Sequence, residues 1–455
     1  MLAGNLMKQT NTNRGSLSMA ALTFPIAMEQ LFRILVSSID TVMLSSYSNQ
    51  AVAAVGMMSQ YIFFLNLIFS VIGTGCSIVL AQYIGARKSR DELNHIAQAS
   101  VIMVSGIALV LTALVISGTP VLLGRYTLEP EVQDFARQYF VIYGGICCFF
   151  NAFNLLQGAI LRSYGYSGAV MAASLTANLI NVAGNALSLY GWFGLPVLGV
   201  PGVAWSSGIA MIVSSIMCAV LIRRRRDIAF SLRGIRSVPA GSFRMILSVG
   251  VPTAGESLSY NMSQITVMAM LSTLGTYAMS AQVYTMTIVR YVFVVAMAMG
   301  SATQIKTGYY VGAHESDVAY RKVFRYQLVA TGCAMLLILL VNLLKKPIVG
   351  LFTDIEEVSR LVRTLLLFSV YMEFGRSLNL IYIGALKGAG DIRFPVLYGI
   401  FSNWVIQVLG GYILGIRMGL GVLGFWLSIG TDETTRGIVM YLRWRSKRWQ
   451  RHALV

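Results

Sequence analysis

Apolar residues in this chain run in long unbroken stretches and do not alternate with polar ones. Twelve such runs are readable, near 20–44, 52–82, 96–118, 136–158, 168–190, 198–222, 245–271, 279–308, 327–350, 361–383, 395–415 and 420–442. Each reaches about 20 residues, the length a helix needs to cross the hydrocarbon core of a bilayer. An outer-membrane barrel would show alternating ten-residue segments instead, so the runs predict helices. The second and eighth are long enough to require tilt or protrusion.

The pattern repeats. The second half, moved back by 227 residues, aligns without gaps from Pro25 to Ala86. Pro25 falls on Pro252, Glu29 on Glu256, Leu31 on Leu258, Gly73 on Gly300, and Gly85-Ala86 on Gly312-Ala313. Met43-Leu44-Ser45 falls on Met270-Leu271-Ser272. With an offset near 225, Phe149 matches Phe374, Asn154 matches Asn379, Leu161 matches Leu386 and Asn178 matches Asn403. Chance apolar similarity does not place Pro, Glu and Gly-Ala together. The expectation is an all-α integral membrane protein with twelve transmembrane helices in two six-helix lobes. Six spans per half is even, so a pseudo-twofold axis along the membrane normal should relate the lobes. The expected domains are residues 1–222, a basic linker 223–244, and residues 245–455.

Composition agrees with a membrane protein: 56% of residues are hydrophobic and 12% charged, against about 25% charged in soluble domains. The formal charge is +17. Its placement explains it. Arg87, Lys88 and Arg90, then Arg162, Arg223–Arg226, Lys306, Arg321, Lys322, Arg325, Lys387, Arg393 and the tail arginines fall on every second loop. The intervening loops 45–51, 191–197 and 272–278 carry no charge. The positive-inside rule then puts both termini in the cytoplasm, with the basic loops against membrane lipid and not on a nucleic acid. Residues 1–19, with Lys8 and Arg14, lack the apolar core of a cleavable signal peptide, so the first span is expected to stay. All five cysteines fall in apolar runs without metal-ligand spacing, and read as small buried hydrophobes.

Candidate chemistry starts in the first run, which holds Glu29, Arg33 and Asp40. A charge at the centre of a membrane helix costs about 2.5–3.5 kcal/mol on insertion scales, so such residues mark pathways or buried partners. Glu29 and Arg33 are i and i+4 and can neutralise each other. Asp40 has no cation within helical reach. Position 267, its counterpart in the repeat, is valine, so an ion site would belong to the amino-terminal lobe. Asp432, Glu433 and Arg436 are expected to compensate one another near a cytoplasmic end. No span contains a histidine, and neither HExxH nor GxxxxGK[ST] occurs, which argues against a metal enzyme and against ATP drive.

The pattern Pro25…Ile39-Asp40-Thr41-Val42-Met43 resembles the multidrug and toxic compound extrusion (MATE) transporters. So do Gly85-Ala86-Arg87, Leu161-Arg162-Ser163-Tyr164-Gly165 and Leu386-Lys387-Gly388-Ala389-Gly390-Asp391. The likeness spans nearly the whole chain and is nearest the branch named for a DNA-damage-inducible bacterial member. It implies a V-shaped pair of lobes in a bacterial inner membrane. These expel amphipathic, often cationic, drug-like compounds in exchange for protons or sodium ions, without a cofactor; a monomer is expected. Asp40 matches the family's cation-coupling acid, with Thr41 beside it and Asn178, Asn181 and Asn185 as polar partners from the fifth span. Asn185 stands where some relatives carry an acid, which favours a proton over a dehydrated metal cation. In the second lobe Glu256 matches one acid of sodium-type members, but Arg376 stands at the other. Arg376 is expected to pair with Glu256 or Glu373. The adaptable drug surface is expected from Met28, Phe32, Met43, Met57, Tyr61, Phe64, Phe150, Phe153, Gln157 and Met171. Two alternatives share the architecture: a sodium-coupled antiporter, and a flippase for lipid-linked precursors.

Overall fold

A computed structural model describes residues 18–194 and 196–455; the readings of Lys8 and Arg14 lie outside them. Among the described residues twelve long helices follow one another. In the amino-terminal half they are α1 (Met19–Tyr47), α2 (Asn49–Gly85), α3 (Arg90–Leu123), α4 (Pro130–Ile146 and Cys148–Ser163), α5 (Ser167–Tyr190) and α6 (Gly199–Arg224). In the other half they are α7 (Ala240–Ser272), α8 (Thr276–Gly312), α9 (Ser316–Leu343), α10 (Glu356–Gly388), α11 (Arg393–Arg417) and α12 (Val422–Arg445). The two parts of α4 meet at a bend of 48°, next to a π turn over Phe140–Ile146. By length and apolarity eight helices qualify as membrane spans, and the bent α4 makes nine. The other three, α7, α10 and α12, carry the ionised groups discussed below.

Local signals set the boundaries. Ser89 caps α3, its hydroxyl accepting from the Glu92 amide while the Glu92 carboxylate reaches back, so two orphan donors are satisfied together. Pro25 and Pro252 sit inside α1 and α7 and each removes one backbone hydrogen bond there. The repeat is visible in the backbone. Arg87 and His314, 227 residues apart, both adopt left-handed φ (52° and 59°) in the turns after α2 and α8. Gly165 and Gly390 do the same after α4 and α10 (85° and 90°).

The described chain divides into two compact units. The first comprises residues 28–80 and 88–251; the second comprises 18–27, 81–87 and 252–455. Both α1 and α7 divide next to their prolines, so the cuts differ from those expected at residues 222 and 245. The stretch 223–244 is no free linker. It belongs to the first unit, where Gln98 donates to the Ser231 and Arg233 carbonyls (2.7 and 2.8 Å) and Tyr166 donates to Asp227 (2.8 Å). The first unit's core gathers Met43, Leu44, Met58, Tyr139, Phe140 and Val203. A larger core in the second gathers Val267, Leu271, Leu365, Phe425 and Trp426. Small residues let its helices close up: a Cβ on Gly384 of α10 would strike the Gly300 carbonyl of α8. Four cysteines are buried, but Cys333 is exposed, contrary to the expectation for all five.

Candidate functional site

Asp40 lies two helical turns from the end of α1, and α5 presents two amides to it. Asn185 donates to Asp40 Oδ1 at 2.8 Å. Asn181, one turn earlier on the same face, contacts Asp40 and Ser207 of α6. With its amide oriented to satisfy both, its nitrogen donates to Asp40 Oδ1 and Oδ2 (3.0 and 3.2 Å) and its oxygen accepts from Ser207 (2.9 Å). The i, i+4 spacing is what puts both amides on one face. Among the described residues Asp40 makes no ion pair, so a carboxylate is held in a span by neutral donors alone. Asn181 and Asn185 are buried, and the Asn185 carbonyl oxygen has no partner there. Two expected members stand apart. The Asn178 amide nitrogen is buried without a partner, and Thr41 is exposed and donates back to the Ser37 carbonyl at 2.9 Å.

The residues expected to form the drug surface sit in different environments. Met43 is 8% exposed and packs in the first unit's core. Met57 packs against that core, as does Tyr61, which hydrogen-bonds Tyr126 at 2.5 Å. Phe149 and Phe153 meet as a tilted ring pair with centroids 4.6 Å apart, and Gln157 accepts from Ser215 at 3.1 Å. Phe64 and Phe150 are exposed, while Met28, Phe32 and Met171 are half-buried.

Glu29 and Glu256 share an arrangement that local spacing only half reveals. Glu29 accepts from Arg33 (3.0 Å) as expected, and also from Arg162 at the end of α4 (2.8 Å). Glu256 pairs with Lys387 at the end of α10 (2.6 Å), not with Arg376. Arg162 and Lys387 are 225 residues apart and so are counterparts in the repeat. Each half ties its first helix to its fourth with an ion pair, part-buried for Glu29–Arg162 and buried for Glu256–Lys387, and two residues read as loop charges belong to helix ends. Arg376 does meet Glu373 (2.5 Å), and it also meets Glu433 of α12 (3.2 Å). Glu433 accepts from Asn379 (2.8 Å), and Arg436 holds Asp432 (2.6 Å) and Glu433 (3.7 Å). Asp432 also accepts a hydrogen bond from Ser402. These groups are buried in the middle of α12, not near a cytoplasmic end.

Beside this network lies a cavity of about 410 Å³, wholly in the second unit, lined by residues of α7 and α8 together with Arg376. Val267, the repeat counterpart of Asp40, is on its wall, and so is Arg290 of α8. Sequence reading passed over Arg290, although an arginine within the apolar run Thr287-Ile288-Val289-Arg290-Tyr291-Val292 is the same signal that singled out Asp40.

A family model described as MatE matches the chain twice, over residues 25–187 and 252–413. The two matches begin on the two equivalent prolines. The uncharacterized transporter YisQ of Bacillus subtilis (strain 168) is 35% identical over 432 residues, covering 95% of this chain and 94% of that protein. A probable multidrug resistance protein NorM of Listeria monocytogenes is 26% identical over 431 residues, 92% of each. Among solved structures, an outward-facing MATE family transporter of the MOP superfamily superposes with a TM-score of 0.85 at 21% identity, covering 94% of this chain and 95% of that one. With two equivalent matches covering most of its length, the protein belongs to the MatE family, the multidrug and toxic compound extrusion transporters.

Proposed function

We propose that this protein is a proton-coupled antiporter that expels amphipathic, often cationic, compounds across a bacterial inner membrane, with both termini in the cytoplasm. The observation that carries this reading is Asp40: an intramembrane carboxylate held by two amides and without a counter-cation. A basic side chain would neutralise it permanently, whereas amides leave the charge free to answer to a ligand. Removal from water disfavours the charged form of a carboxylic acid, and an opposite charge nearby favours it. A proton and a cationic substrate therefore compete for one acid, and mutually antagonistic binding is what antiport requires. When the site opens outward, Asp40 takes a proton and its hold on the cation is lost. Bending of α1 at Pro25, where one backbone hydrogen bond is already missing, would help expel the substrate. When the site opens inward the proton leaves and the anionic site returns.

Two observations favour a proton over sodium. Asp40 is the single carboxylate of its cluster, with Asn185 supplying an amide beside it. Glu256 and Glu373 of the second unit are both occupied by cations. The relatives named for multidrug resistance support the cargo class. The test is efflux of a fluorescent lipophilic cation from proteoliposomes. A pH gradient alone is expected to drive it, and a sodium gradient at equal pH is not. Efflux driven only by sodium would overturn the coupling assignment.

A further inference from the structure

We propose that the cavity of the second unit is an oxyanion site, taking the carboxylate or phosphate of an amphipathic molecule whose apolar part lies on the same walls. This stands on residues other than Asp40 and its partners. Arg290 lies about 20 Å along α8 from its first residue, inside the span. Its side chain is exposed and lines the cavity, and among the described residues it makes no ion pair, hydrogen bond or ring contact, so its guanidinium is open to a ligand that enters there. Arg376 adds a second guanidinium. Its Nε and Nη1 are taken by Glu433 and Glu373, but Nη2 reaches only the Met372 sulfur at 3.4 Å, a weak acceptor. Gln282 accepts from the Trp426 indole at 2.5 Å. An indole only donates, so the Gln282 oxygen is committed and its NH₂ is left to face other acceptors. Arg290, Arg376 Nη2 and the Gln282 amide thus leave spare donors on this wall, and Arg290 has no ion-pair partner among the described residues. Met268, Met286 and Phe293 supply the apolar surface.

The repeat sharpens the point. Where the first unit has Asp40, the second has Val267. Where the first unit pairs Asn66 with Asn151 (2.6 Å), the second sets Arg376 over the Phe293 ring (4.9 Å). The acid of the first unit is thus absent from the second, and two arginines, Arg290 and Arg376, stand where the first unit has the uncharged Phe63 and Asn151. The competing role for Arg290 is a distant counter-charge to the ionic network.

The test uses the whole protein in phosphatidylcholine nanodiscs and two probes differing only in charge, 1-naphthaleneacetate and 1-naphthaleneacetamide. The wild type should bind the acid at least about tenfold more tightly than the amide. Arg290→Gln should abolish that preference while leaving amide binding unchanged, and Arg290→Lys should keep part of it. Asp40→Asn should keep it entire, which separates this claim from the coupling proposal. In the wild type, the acid should also protect Arg290 from phenylglyoxal, read by peptide mass spectrometry, so the result does not hang on a variant's folding. Phosphatidylglycerol in the disc distinguishes the two sources of oxyanion: competition with the acid identifies a lipid phosphate, and no competition a soluble carboxylate. Equal binding of acid and amide by the wild type would overturn the proposal. So would Arg290→Gln that unfolds at lower temperature yet keeps the preference, which would assign Arg290 to the network.

Discussion

The two halves of this chain began from one pattern and now handle charge in opposite ways. Both keep a proline followed four residues later by a glutamate, and both clamp that glutamate with a cation from the end of the fourth helix. Beyond that clamp they diverge. The first unit leaves one carboxylate, Asp40, among neutral amides. The second puts valine there, and among its buried charges Glu256, Glu373, Asp432 and Glu433 are held by Arg376, Lys387 and Arg436. A charge with fixed partners holds helices together, whereas a charge with neutral partners is free to change its protonation or its ligand. On the proposed reading, scaffolding falls to the ionic network and switching to the solitary acid.

The largest effect should come from cutting the network. Arg376→Ala leaves Glu373 and Glu433 buried with one partner fewer, and removing one member of a buried pair costs about 3–5 kcal/mol. Thermal unfolding of the purified variant in detergent should show it; a variant as stable as the wild type would refute the scaffolding role. Next come the two clamps. Glu256→Gln strands Lys387, whose side chain is only 10% exposed, and should cost about 3 kcal/mol. Glu29→Gln should cost nearer 1 kcal/mol, because Arg162 is 24% and Arg33 56% exposed and water can take over. Equal losses for the two would break the comparison. Asn185→Ala should cost about 1–2 kcal/mol from the lost hydrogen bond, yet slow gradient-driven efflux far more than its stability loss explains. The smallest effect belongs to Arg33→Ala, within about 0.5 kcal/mol, since Glu29 retains Arg162.

How much of this was legible in the sequence follows the separation of the residues involved. Helices read well because about 20 apolar residues in a row have few other uses, and all twelve runs lie on helices. Contacts within one helix also read well: Glu29 with Arg33, Glu373 with Arg376, and the shared face of Asn181 and Asn185 follow from 3.6 residues per turn. Contacts between helices did not. Glu256 meets Lys387 across 131 residues and Arg376 meets Glu433 across 57, and no local rule chooses among the available cations. The alignment of Arg162 with Lys387 was available as a clue, because equivalent glutamates call for equivalent partners. Arg290 was missed for a different reason. It lies within an apolar run that hides it, although one arginine there carries more information than its apolar neighbours. Met43 shows the limit of residue type as a signal: a methionine packs a core as readily as it lines a pocket.

The central claim is that Asp40 exchanges a proton for a cationic substrate. Its most direct test is to add a lipophilic cation to the purified protein in weakly buffered detergent near neutral pH and measure the protons released. The wild type should release up to one proton per bound cation, the yield falling as pH rises, and Asp40→Asn, with its unfolding temperature preserved, should release none. Cation binding without proton release by the wild type, or undiminished release from Asp40→Asn, would contradict the account.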